Sequence, residues 1–135
     1  VLTIIDTSVA VKWFLADNEP RREEALAVLD AVLSKPQNYA VPELFFNEML
    51  AVLCRLLHDA DVIKDLMRSL ELLGMERLGN GSQLLQTAAG LAKQYGITGC
   101  DATFVAAAKL TEGVWLTADL AAVRKMGTAR FVRLL

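Results

Sequence analysis

The chain has 135 residues, 54% of them hydrophobic and 22% charged, with a formal charge of −2. That length supports one sizeable core in a single domain over residues 1–135, and that composition excludes a disordered chain. The slight negative charge excludes a generally basic surface, so nucleic-acid phosphates would have to be met by a local patch or by bound metal.

Leu2–Ile5 is a short β-branched apolar run closed by Asp6, which predicts a buried strand. Thr7 or Ser8 is then placed to cap a helix through Phe14. Asp17-Asn18-Glu19-Pro20 predicts a turn, and a helix over about 20–34 follows, with Ala25, Leu26, Val28, Leu29, Val32 and Leu33 at helical spacing. Tyr39-Ala40-Val41 is a short strand before Pro42. Helical patterns run from there to about His58 and, after Asp59-Ala60-Asp61, to about Leu73, where Gly74 stops the second. Met75–Leu78 is a third strand, and Ser82 is expected to cap a helix reaching Tyr95-Gly96. Asp101 to Glu112 is helical, Val114–Thr117 a fourth strand, about 119–126 a short helix, and Arg130–Leu134 a last strand. Strands alternating with helices require crossover connections, hence an α/β fold with a mainly parallel sheet covered on both faces.

The most membrane-like stretch, residues 39–57, contains Glu43, Glu48 and Arg55, which argues against a membrane span. The start at Val1 has neither a basic segment nor a cleavable apolar one, so a cytoplasmic location is expected. Cys54 and Cys100 lack metal-ligand or paired spacing and are expected to be small buried residues in a reducing compartment. His58 cannot build a zinc site alone.

Four acids interrupt segments that otherwise pattern as core. Asp6 and Asp119 follow strands, Asp101 opens a helix, and Glu48 sits in one with Leu44 and Val52 at i−4 and i+4. Each has an ordinary explanation: a cap or Asx turn for Asp6, a cap for Asp119, macrodipole stabilisation for Asp101, and for Glu48 a position on the margin of its face, reaching solvent or pairing with Arg55. Those explanations do not account for all four falling at the carboxyl end of one parallel sheet, where such sheets bind ligands. Converging carboxylates cannot all ionise unaided, and a hard cation such as Mg²⁺ or Mn²⁺ resolves the conflict through oxygen ligands.

Ile5-Asp6-Thr7-Ser8 with Val11-Lys12-Trp13-Phe14, then Val41-Pro42-Glu43-Leu44 leading to Glu48, Cys100-Asp101-Ala102, and Leu116-Thr117-Ala118-Asp119 resemble, in order and spacing, the PIN domain, and most closely the VapC-type ribonuclease toxins of prokaryotic toxin–antitoxin pairs. The chain departs from that pattern at Ala51 and Cys100, neither of them one of the four acids. The resemblance implies a three-layer sandwich around a five-stranded parallel sheet. It also implies an endoribonuclease whose Asp6, Glu48, Asp101 and Asp119 bind Mg²⁺ or Mn²⁺ and catalyse hydrolysis of RNA to 5′-phosphate and 3′-hydroxyl ends. Thr7, Ser8 and Thr117 are supporting hydroxyls, with helix capping as their plainer role, and Lys12 and Arg55 are phosphate contacts unless they are simply solvated charges. A homodimer interface and a cognate antitoxin are the implied partners, using apolar helix surface between residues 20 and 73.

Other readings stay open at this point. A haloacid-dehalogenase-like phosphatase would want Asp where Ser8 stands, and a phosphoacceptor receiver would want an acidic pair near the first strand. A solitary RNA-processing nuclease and a catalytically silent binding module would both keep the fold.

Overall fold

A computed structural model describes residues 1–15 and 18–135. Its sheet is built from β1 (Thr3–Ile5), β2 (Tyr39–Pro42), β3 (Glu76–Leu78), β4 (Val114–Thr117) and β5 (Val132–Leu134). The strands lie in the order β3-β2-β1-β4-β5, and every neighbouring pair is parallel. The helices are α1 (Thr7–Ala10, continued by a 3₁₀ turn over Val11–Trp13), α2 (Arg22–Ser34), α3 (Leu44–Leu56), α4 (Ala60–Leu72), α5 (Ser82–Tyr95), α6 (Gly99–Leu110) and α7 (Leu120–Met126). Successive side chains on a strand point to opposite faces. Ile4 and Ile5 are both wholly buried, so helices cover both faces of the sheet. On one of them α6, fully buried from Ala102 to Ala108, packs on β1, β2 and β4, with α5 stacked against it. The small side chains at 106–108 let that helix approach the strands closely.

The chain order explains where a site can form. From β1 the strands step outward through β2 to β3, then the chain returns to the other side of β1 to lay down β4 and β5. Such a reversal opens a crevice at the carboxyl ends of β1 and β4, which is where ligands bind in open parallel sheets. Gly113 makes the β1–β4 neighbourhood possible: a Cβ there would sit 2.4 Å from the Leu2 carbonyl oxygen.

Several local expectations are corrected. The cap of α1 is Asp6, whose side chain accepts from the Ser8 amide, and not Thr7 or Ser8. Gly81, not Ser82, occupies the cap position of α5, and α6 begins two residues before Asp101 because the Thr98 hydroxyl accepts from the Asp101 amide. α2 starts at Arg22 rather than residue 20, behind Arg21 in a left-handed conformation (φ 60°). Asp17 of the expected turn lies outside the described residues. Cys54 and Cys100 are exposed free thiols, not buried residues. Among the described residues no helix is long and apolar enough to cross a membrane.

Candidate active site

Asp6 leaves the end of β1 with its amide bonded to the Leu116 carbonyl of β4 at 2.9 Å, so its carboxylate enters the crevice between the two central strands. Burial there is nearly complete, at 6% exposure. Its Oδ2 accepts from the Ser8 amide at 3.2 Å, the Ser8 hydroxyl at 2.5 Å and the Thr117 hydroxyl at 3.2 Å. Its Oδ1 accepts from the Trp115 indole at 3.2 Å. The two hydroxyls are themselves oriented: the Ala118 amide donates to Ser8 Oγ at 2.9 Å and the Asp119 amide to Thr117 Oγ1 at 3.1 Å. One network therefore ties the ends of β1 and β4 together around a single carboxylate.

The other three acids come from separate elements. Glu48, half-buried in the second turn of α3, accepts from the Thr7 hydroxyl at 2.8 Å, which links α3 to α1. Its partner is that hydroxyl, not Arg55, which is exposed in the last turn of α3. Asp101 stands in the first turn of α6. Asp119 caps α7, using Oδ1 to accept from the Ala122 amide at 3.1 Å.

The charges feel one another. Burial is the main reason that the carboxyls of Asp6, Glu48 and Asp101 are all raised above their usual range. The negative charges of Asp6 and Asp101 add to the rise at Glu48, and those of Asp6 and Asp119 to the rise at Asp101. Hydrogen bonds to Asp6 and Glu48 work in the opposite direction but do not prevail. The Lys125 ammonium, from the last turn of α7, also opposes the rise at Asp101. Four acids far apart in sequence thus share one electrostatic neighbourhood. Among the described residues, however, no three acidic, histidine or cysteine side chains are gathered into a ready-made metal cage, so mutual reach and not contact describes their spacing.

Lys12 is not among the groups facing this neighbourhood freely. It is buried, with its ammonium held by Glu19 at 2.8 Å and the Pro20 carbonyl at 2.7 Å, so its positive charge braces the segment leading into α2. Trp115 was legible in the sequence only as a core strand residue. Its position two before Thr117 puts both on the same sheet face, and a buried indole N–H requires an acceptor. Those two facts together were the available signal.

A family model for the PIN domain matches residues 3–126. The chain belongs to the PIN domain family. No curated protein matches it significantly. Among solved structures, a toxin–antitoxin complex from Klebsiella pneumoniae contains a chain 16% identical, with 97% of this chain and 95% of that one covered at a TM-score of 0.72. FitAcB from Neisseria gonorrhoeae is 20% identical, covering 97% and 96% at 0.72. VapBC2 from Rickettsia felis, bound to a DNA fragment from its promoter, is 10% identical, covering 100% and 99% at 0.73. At these identities the likeness is one of fold, and it extends over the whole length of this PIN domain.

The donors present suit a hard divalent cation. Carboxylate and hydroxyl oxygens line the crevice, and among the described residues no imidazole joins them. The neighbouring Cys100 thiol has its pKa raised, first by partial desolvation and then by the charges of Glu48 and Asp101, which disfavours the thiolate a soft metal would want.

Proposed function

We propose that this PIN domain is a Mg²⁺- or Mn²⁺-dependent endoribonuclease and acts as the toxin of a type II toxin–antitoxin pair. The observation that carries the reading is the gathering of acids at the strand-order reversal: Asp6 is buried at the end of β1, the charges of Asp6 and Asp101 reach Glu48, and those of Asp6 and Asp119 reach Asp101. A cation held by these four acids would supply neutralisation of phosphoryl charge and acidify water for in-line attack on an RNA phosphodiester. The chain's own residues do the rest. Ser8 and Thr117 hold Asp6, and Thr7 holds Glu48, so the carboxylates are directed before substrate arrives. Glu48 is half-buried, and burial raises its carboxyl above the usual range. Lys125, whose charge opposes the rise at Asp101, is a cation placed to meet a phosphate there, and Arg55 is exposed in the last turn of α3.

The toxin role draws on the similar solved structures, one of them a toxin–antitoxin complex, and makes a cognate antitoxin and a second copy of this chain the partners. A cytoplasmic setting accords with the two free thiols. The capping by Asp6 and Asp119 favours a second reading, a binding module in which the acids are only structural. Capping, however, accounts for neither Glu48 nor Asp101.

The test is cleavage of a broad RNA set by purified protein with Mg²⁺ or Mn²⁺ against EDTA, beside Asp6→Asn and Asp101→Asn. Metal-dependent cutting lost in both variants is expected. Absence of both cutting and metal binding would leave the binding module.

A further inference from the structure

The two oxygens of Asp6 are treated very differently. A carboxylate has about four lone-pair directions, two on each oxygen. Oδ2 meets three donors, the Ser8 amide and hydroxyl and the Thr117 hydroxyl, and has no direction left to offer. Among the described residues, Oδ1 meets only the Trp115 indole, at 3.2 Å. One direction on Oδ1 therefore remains open.

Resting on the nuclease reading above, we propose that Asp6 meets a divalent cation through Oδ1 alone, and that Trp115 is the positioning residue that sets the direction in which that oxygen is offered. Trp115 suits the task physically. It is wholly buried, so the ring cannot swing away, and its indole is a donor without acceptor capacity, so the bond cannot reverse. A hydroxyl in its place would rotate. The molecule also contains the plain alternative for comparison. Trp13, the other tryptophan, donates its indole N–H to the backbone carbonyl of Ala25 at 2.8 Å, which is how a buried indole is satisfied when only packing matters. Trp115 instead donates to a carboxylate that already has three other donors. Outer partners of this kind fix ligand orientation, and their loss typically lowers metal affinity or activity by about 10–100-fold.

The two indoles allow a direct test by ¹H–¹⁵N NMR of the full chain during Mg²⁺ titration, with Trp115→Phe supplying both the assignment and the variant. The expected result is that the Trp115 indole resonance moves along the same saturation curve as the backbone amides of Glu48, Asp101 and Asp119, while the Trp13 indole stays in place. In Trp115→Phe, which keeps a buried ring and loses the N–H, the Mg²⁺ concentration for half-saturation should rise about 10-fold with the spectrum still folded. If Mg²⁺ moves the three amides but not the Trp115 indole, the proposal is wrong and the nuclease reading survives. That result needs no variant, so a misfolded Trp115→Phe does not shield the proposal. A folded Trp115→Phe with unchanged half-saturation overturns it equally. If Mg²⁺ moves nothing in the wild-type protein, the proposal falls together with the metal reading beneath it.

Discussion

At the β3 edge of the sheet, Glu43 and Glu71 converge on the Arg77 guanidinium, at 2.7 Å and 3.2 Å, and Arg77 lies 4.0 Å over the Phe46 ring. At the central crevice, Glu48 feels the charges of Asp6 and Asp101, and Asp101 those of Asp6 and Asp119. The electrostatic consequences run in opposite directions. The hydrogen bond from Arg77 lowers the Glu43 carboxyl, and the same bond raises Arg77. In the crevice, burial raises Asp6, Glu48 and Asp101, and the charges of neighbouring carboxylates add to the rise at Glu48 and Asp101. The first cluster is complete as folded, while the second is left with a charge conflict that a cation would relieve.

The sharpest way to break this contrast is Asp101→Asn. Among the described residues, the hydrogen-bond partner of the Asp101 carboxyl is Thr98, the cap of its own helix, so the fold should survive, while RNA cleavage should fall by at least about 100-fold, beyond what loss of a merely supporting group produces. Retained cleavage in a folded Asp101→Asn protein would remove that acid from the site. Next comes metal itself. Calorimetric melting with Mg²⁺ at one hundred times its dissociation constant should show stabilisation of about 2.7 kcal/mol over the chelated protein. An identical melting curve in chelator and in millimolar Mg²⁺ would mean the crevice does not behave as a cation site.

Arg77→Ala probes the other cluster. Its ion pairs are exposed and screened, so the loss should be about 1 kcal/mol, cation–π contact included, with Mg²⁺ half-saturation and cleavage unchanged. A shifted metal requirement in that variant would show that the two clusters are coupled.

The smallest effect is the pH trend. Carboxyls raised in the folded state bind protons that the unfolded chain has already released, so stability falls as pH rises from the ordinary carboxylate range through the raised values. Glu43 has the opposite sign, but it is exposed and screened, so Asp6 governs the direction. In chelator, the melting temperature should be higher at pH 5 than at pH 7.5, and saturating Mg²⁺ should flatten the difference. A trend that persists with Mg²⁺ would place its origin outside the crevice.

The strands and most helices were legible because their signals are local. Ile4 and Ile5 could only be core, Gly74 could only stop a helix economically with its positive φ of 80°, and alternating strands and helices dictated a parallel sheet. The four acids were visible for the same reason, each being a charge inside an apolar run. Cap assignments at Asp6 and Gly81 missed by one residue, since adjacent Asp, Ser, Thr and Gly residues all suit the same position and only the backbone angles choose among them.

The sequence by itself therefore determined the fold class and the carboxylates, because periodicity and misplaced charge depend on each residue's own chemistry and its near neighbours. Tertiary structure alone decided the partnerships. Lys12 turned inward to Glu19, Glu48 took the Thr7 hydroxyl rather than Arg55, and the Trp115 indole reached Asp6 across 109 positions. Those pairings depend on strand register and helix placement, which bring together residues that carry no mark of one another along the chain.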